Sequence, residues 1–422
     1  MTYLRPRAIR RAFLALIVLY LALGYISPRL HWLPTGTTAG SRPGDTPLPG
    51  PAGRTIAGVL GVHTQRSHDA LGTELEVARA ARASGLDFVI ITDHRSDGAP
   101  DSLWNQQARY EEGVLLVRGQ EIPLGHDVGR LLVFGLDTTI TRWDGELRTF
   151  TQQLIDDSAT AIVAHSRSPR TRDSWRPRET PGIVGWEVFD LADIGRARLA
   201  DPWVVYHLLA LAASAPIGRT HESLLRLHRE GFDQPAVVAY DSLYARAPLI
   251  ALAALDAHPK KRIGGRLLPA YEPFFKSMVN HIRLDGPLPG EPEEAMGVLA
   301  AGLLAGRVFI SFGDTEAARD FVLALDAGRM PAVWPEEQFP WERGLRLRAG
   351  FPGDPGKRFI YRVVRDGTTL TWLRGRELDR EVEEPGAYRV EVYRYTLRVG
   401  PLIWNLRPWI FSNPIRVAPP AG

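Results

Sequence analysis

The stretch 86-LDFVIITDH-94 decides the fold. It is an apolar, β-branched run with no alternation, and it ends in two titratable residues, Asp93 and His94. A half-exposed strand alternates polar and apolar side chains. A run without alternation fits a parallel strand buried on both faces. The same shape recurs in 114-VLLVRGQE-121, 161-AIVAH-165, 183-IVGWEVFD-190 and 249-LIALAALDAH-258. Helical stretches lie between these runs. The most legible opens with Thr73 and Glu76 in the T-x-x-E spacing of a capping box, has Leu75, Val77, Ala78 and Ala81 as its apolar face, and meets a stop at Gly85. Strands alternating with helices predict an α/β architecture with a parallel sheet over residues 55–327.

Working outward, the pattern changes near residue 328. Strand-like runs broken by Gly, Pro and Asp-Gly fill 341–375, the run 386-GAYRVEVYRYTL-397 alternates with period two, and 409-WIFSNPIRV-417 follows. Residues 328–422 therefore read as a small antiparallel β-domain, sandwich-like. Toward the N-terminus, residues 1–11 form a basic tail with Arg5, Arg7, Arg10 and Arg11, and residues 12–27 begin with the apolar run 12-AFLALIVLYLALGYI-26. A basic flank before an apolar run predicts a membrane anchor or signal segment. No small-x-small cleavage site follows, which favours an uncleaved single-pass anchor. The positive-inside rule then places the bulk of the chain outside the cytoplasmic membrane, in the periplasm. Residues 28–54, rich in Gly, Pro, Ser and Thr, read as a linker.

Composition narrows the chemistry. The 422 residues suffice for one large domain and a smaller one. Net charge is only +3, and the abundant arginines are scattered among nearly as many acids, so no basic stripe points to nucleic acid. Cysteine is absent, which excludes disulfides and thiolate metal sites. Any metal must sit on imidazole and carboxylate. Those groups cluster where the apolar runs end: His63, Asp93-His94, Glu121 with His126 following, His165, and Asp256-x-His258. His68 and Asp69 follow the first run closely. In a sheet of parallel strands the C-terminal ends converge on one face, so residues distant in sequence can meet. Several imidazoles and carboxylates packed together favour a bound cation, and a set without thiolate suits Zn, Mn or Fe.

These residues, in this order, resemble the PHP family, named for its polymerase and histidinol-phosphatase members. The matching pieces are GVHTQRSHD, ITDH, GQE with GH following, AHS and DAH, over roughly residues 55 to 315. The resemblance implies a distorted (β/α)7 barrel, two or three divalent metals, and hydrolysis of phosphoesters. It implies that His63 is the second histidine of an H-x-H motif and that Asp93 and His94 belong to the T-D-H piece. Glu121 becomes the bridging carboxylate, His126 and His165 ligands of a second metal, and Asp256 and His258 the closing pair. His68 or Asp69 takes the ligand place after the first motif, and the spacing does not decide between them. Glu121, Asp256 and His165 are the expected catalytic groups. Arg95, Arg167 and Arg170, just after strand ends, are candidates to meet an anionic substrate group. Asp241 matches a position with a structural role. The SHD piece and the C-terminal segment resemble a membrane-anchored branch that includes carbamate and ester hydrolases.

One departure stands out. The first histidine of H-x-H is Gly61 here, so one ligand is missing and the site has room for fewer metals. Two readings follow. The chain is a metal-dependent hydrolase acting on a small phosphoester or carboxyl or carbamate ester through metal-activated water. Alternatively it is a degenerate barrel that binds a ligand or envelope partner without turnover. Restoring histidine at 61 would then raise metal content in the first case and do little in the second.

Overall fold

The computed structural model describes residues 6–27, 29–39, 48, 53–94, 107–136, 143, 145–177, 179, 181–228, 231–328, 332–333, 338–352 and 359–420. The first part of the sheet is carried by β1 (Arg54–Val62), β2 (Phe88–Asp93), β3 (Val114–Pro123), β4 (Arg130–Phe134), β5 (Thr160–Ala164), β6 (Gly185–Asp190) and β7 (Ile250–Ala254), with the short strand Ala108–Glu111 antiparallel to β3. Every residue of β2 is buried. Its two faces join different apolar clusters. Val89 and Ile91 cluster with Val77, Ala78 and Ala81 of α2 (Glu74–Ala83), whereas Phe88 and Ile90 cluster with Leu299 and Leu303 of the helix Pro292–Leu304. That double burial is why the run shows no alternation. Each such side chain removed from water contributes about 1.5–3 kcal/mol.

The sheet is mixed. β1 pairs in parallel with β2, β2 with β3, β5 with β6, and β6 with β7. β4 runs antiparallel to both β3 and β5. Beyond β1 the sheet continues antiparallel through β8 (Met278–Leu284) and β9 (Val308–Phe312). A regular (β/α)7 alternation is therefore not what forms. The expectation is met at a coarser level, as a mixed α/β fold with one large mixed sheet. The physical reason is local. Only the six residues 124–129 separate β3 from β4, enough for a hairpin turn and too few for a crossover helix.

The ends of this row approach one another. The amide of Leu255 donates to Leu60 O (3.1 Å), Ala257 N to Gly61 O (2.9 Å) and His63 N to Ala257 O (3.1 Å). Gly61 makes this possible. It lies at a shift of register between β1 and β2, with φ of +73°. A Cβ there would stand 3.0 Å from Ala254 Cβ and 3.2 Å from two backbone nitrogens. The position is thus a bulge pressed against the neighbouring strand. A histidine at 61 would therefore carry strain at positive φ and crowd Ala254.

Later strands are β10 (Val322–Asp326), β11 (Arg346–Gly350), β12 (Phe359–Arg365), β13 (Thr368–Gly375), β14 (Leu378–Glu381), β15 (Gly386–Arg394), β16 (Arg407–Ser412) and β17 (Ile415–Ala418). β12 and β13 form a hairpin over Asp366-Gly367, both at positive φ, as a tight primed turn requires. β16 pairs with both β9 and β15, so the large sheet runs on into these strands. Asp241, half-buried beside them, pairs with Arg389 of β15. Within the segment read as a linker, Leu30–Trp32 pairs antiparallel with Leu402–Trp404.

The membrane anchor is a second correction. The N-terminal helix α1 spans Pro6–Ile26, but no helix among the described residues is long and apolar enough to cross a membrane. The uninterrupted apolar run 12–26 would rise only about 22 Å, against a hydrocarbon core of about 30 Å. One flank of α1 also rests on protein. The Tyr20 ring lies 5.2 Å from Trp203, its hydroxyl donates to Pro202 O (2.9 Å), and Gly24 sits against the ring of Tyr206. The single-pass anchor and the periplasmic placement that depended on it are not supported.

Candidate metal centre

Because β4 is antiparallel, its start lies beside the ends of its neighbours. Arg130 pairs in register with Pro123 and with Ala164. The ends of β1, β2, β3, β5, β6 and β7 and the start of β4 thus carry the polar residues to one region. A cavity of about 390 Å³ opens there, lined by His68, Asp69, His94, Glu121, Arg130, His165, Arg170, Arg172, Arg196, Asp256, His258 and Lys260, among others.

At its base lies a cage. His63, Asp69, His94 and His258 each offer a ligand atom, and these atoms lie within 4.8 Å of one another. His63, Glu121 and Asp256 meet the same criterion, with His63 shared. The His63 ring stacks on His258 at 3.8 Å and lies 4.7 Å from His94. His63 Nε2 is 3.3 Å from Glu121 Oε2, and His258 Nε2 is 3.3 Å from Asp69 Oδ2. The decisive feature is what these atoms lack. His63 Nε2, His258 Nε2 and Asp69 Oδ1 are buried and have no hydrogen-bond partner. Buried polar atoms are rarely left so. Three of them, on imidazole and carboxylate residues whose ligand atoms group together, fit a divalent cation.

A support network holds the cage. Both oxygens of Asp93 are occupied: Oδ1 accepts from Thr64 N (2.6 Å) and Ser67 Oγ (3.0 Å), Oδ2 from Thr64 Oγ1 (2.7 Å). Ser67 Oγ in turn accepts from His94 N (2.8 Å) and lies 3.2 Å from His63 Nδ1. Asp93 therefore orients ligands and does not reach the cage itself, which is how the structure places this expected ligand. Ser67 was missed by sequence reasoning. Its signal is its place in the SHD piece, beside two titratable neighbours.

Two arginines take the remaining carboxylates. Arg130 Nη1 donates to Glu121 Oε1 (2.6 Å) and Arg196 Nη2 to Asp256 Oδ2 (2.6 Å). Burial alone would raise Glu121, but the imidazoles of His63, His165 and His94 outweigh it and hold the carboxyl well below its ordinary value. Asp256 is likewise depressed against burial, chiefly by His258. Burial lowers His94, whereas His258 is raised against burial by Asp256.

The other expected residues divide. His68 lines the cavity with its ring 5.3 Å from His94, yet is not among the cage atoms. His126 is exposed in the turn between β3 and β4 and does not line the cavity. Arg170 lines the cavity, Arg167 lines a separate groove, and Arg95 lies outside the described residues. His165 has its Nε2 3.7 Å from Glu121 Oε1, but its Nδ1 faces away, 2.9 Å from Asp193 Oδ2. His165 and Asp256 both hold left-handed backbone, at φ 50° and 47°, a strained conformation typical of functional positions. Glu187, Asp190 and Asp193, which surround His165, were also missed. Their signal was a lone Glu inside an apolar strand followed by Asp at three-residue steps.

No protein-family profile and no curated protein matches the chain. Among solved structures, a two-domain protein from Bacteroides vulgatus, described as containing a predicted PHP-like metal-dependent phosphoesterase, superposes with a TM-score of 0.40 at 12% identity. The match covers 88% of this chain and 100% of that one. A likeness this distant carries no weight for the chemistry, which rests on the geometry above.

Proposed function

We propose that the chain is a metal-dependent hydrolase of small anionic esters, with a PHP-like barrel over residues 55–327 bearing the site and the strands of 328–422 forming a second unit. The observation that carries this reading is the cage of orphaned ligand atoms at the base of a cavity rimmed by cations. His63, Asp69, His94 and His258 would hold the ion. A divalent ion there would supply Lewis-acid chemistry, polarising the scissile group and acidifying a water. Arg130, Arg170, Arg172, Arg196 and Lys260 would bind and orient the negative group, which favours a phosphoester over a neutral carboxyl or carbamate ester. Glu121, buried and held ionised, is placed to accept the proton of an attacking water. Asp256, fixed between His258 and Arg196, keeps both in position.

Arg130 and Arg196 also favour a second reading. They place fixed positive charge on Glu121 and Asp256, the two carboxylates nearest His63. A site so neutralised suits binding of an anion without turnover. Elemental analysis of the protein, purified without affinity-metal columns and then soaked in Zn or Mn, is the first test. Turnover of p-nitrophenyl phosphate and p-nitrophenyl acetate by the loaded protein is the second. Bound metal that is lost in His94→Ala and His258→Ala, with phosphatase activity, supports the hydrolase. Bound metal with no turnover of either ester selects the binding reading. Wild-type metal content in both variants refutes the cage.

A further inference from the structure

We propose that Glu187, Asp190, Asp193 and Nδ1 of His165 form a second cation site, separate from the cage and suited to a hard divalent ion such as Mn2+. The four side chains are buried, and their ligand atoms lie within 4.8 Å of one another. The sequence builds the cluster from three pieces. β5 ends at Ala164, so His165 turns out of the sheet at positive φ. A bulge in β6, where Leu252 faces Glu187 but Ala253 faces Phe189, allows Glu187 and Asp190 to join the same cluster. Asp193 stands in the first turn of α3 (Leu191–Ala197), whose N-cap is Asp190.

The site has its own approach. A groove of about 250 Å³ is lined by Ser166, Glu187, Asp190, Asp193 and Arg198, among others, and Glu187, Asp190 and Asp193 do not line the cavity above the cage. Two residues join the regions: His165, with its two ring nitrogens facing opposite ways, and Arg196, which donates to both Asp193 and Asp256.

Hydrogen bonding explains part of the cluster and leaves one atom over. Glu187 Oε1 accepts from His165 N (3.1 Å). Asp193 Oδ1 accepts from Ser168 Oγ (2.8 Å) and Arg196 Nη1 (2.5 Å), and Oδ2 meets His165 Nδ1 at 2.9 Å. Asp190 Oδ1 accepts from Asp193 N (2.5 Å). Asp190 Oδ2 has no hydrogen bond, although the residue is 7% exposed, and its nearest cation, His165 Nδ1, is 3.5 Å away. A network whose only task was to orient His165 would need Asp193 alone. The unpartnered oxygen points to a ligand, since leaving it bare is costly. Three carboxylates with one imidazole, and no thiolate, match Mn2+.

This site does not depend on the cage, and one experiment separates them. Mn2+ binding to the full chain is followed by electron paramagnetic resonance, for wild type, Asp190→Asn, Glu187→Gln and His63→Ala. The expected result is two classes of bound Mn2+ in wild type. Asp190→Asn and Glu187→Gln each weaken one class by about tenfold or more. His63→Ala weakens only the other. The two near-isosteric variants guard against a failure of folding, which circular dichroism checks. If a single class is seen, is lost in Asp190→Asn and survives in His63→Ala, this site stands and the cage falls. If Asp190→Asn and Glu187→Gln both keep every class of wild type, the proposal is overturned.

Discussion

At the scale of single residues, the site depends on side chains that touch no ligand. Asp93 has both oxygens filled by Thr64 and Ser67, and Ser67 fixes the backbone of His94 and the ring of His63. Asp93→Ala should therefore lower metal affinity by about 10–100-fold, the usual effect of losing an outer carboxylate. Isothermal titration with Zn checks this, and unchanged affinity would show that the cage is held by other means. Gly61 makes the opposite point. Its glycine is demanded by φ of +73° and by the nearness of Ala254 and Asp256. Gly61→His should cost at least about 1–2 kcal/mol in urea unfolding, since strain at positive φ adds to crowding. Metal content should not rise.

At the scale of elements, α2 shows local sequence acting alone. Thr73 accepts from Glu76 N (3.2 Å) while Glu76 Oε2 accepts from Thr73 N (2.9 Å), so the capping box forms as the T-x-x-E spacing predicts. Arg262 also binds Glu76, and this bond is the main reason its carboxyl falls to about 2. Thr73→Ala should destabilise the protein by about 1 kcal/mol, read as a shift in the denaturation midpoint. A shift near zero would mean that the Glu76–Arg262 contact holds the helix start unaided. The hairpin from β3 to β4 shows the converse. It was not legible in the sequence, because the short run 130–134 carries no mark of its direction. Yet its reversed direction is what delivers Arg130 to Glu121.

At the scale of the whole molecule, the later strands are tied to the site-bearing part by buried charge. Arg389, 4% exposed in its side chain, pairs with Asp241 and Glu391. Asp241→Ala leaves that guanidinium half-compensated and should cost about 2–4 kcal/mol, measured by urea unfolding. A loss below about 0.5 kcal/mol would mean that Glu391 alone satisfies Arg389. Acid sensitivity should arise partly from His228, stacked on Phe312 at 4.4 Å. Burial, with Arg198 nearby, pulls it down from 6.5 to about 3. The unfolded chain binds this proton first. The native state therefore loses about 1.4 kcal/mol per pH unit at this residue as pH falls from about 6.5 toward 3, and loses nothing above that window. His228→Gln should flatten that part of the stability profile, and an unchanged slope between pH 6 and 4 would refute the assignment.

Much of this was legible in the chain itself. Unalternating β-branched runs such as 88–93 foretold strands buried on both faces, because burial is what removes the selection for polar residues. Polar residues at strand ends marked the site, because only there does a strand leave the core. The absence of cysteine confined any metal to imidazole and carboxylate. Sequence alone misjudged the N-terminal helix, since hydropathy does not reveal that Tyr20 and Gly24 face other residues of the same chain. It also read Gly61 as a lost ligand, with no sign that the position is a bulge at positive φ beside Ala254. Only the tertiary structure turned His126 away, set Arg130 and Arg196 on the carboxylates, and gathered Glu187, Asp190 and Asp193 around His165. Those outcomes depend on strand direction, register and distance between segments far apart in sequence, which no local pattern encodes.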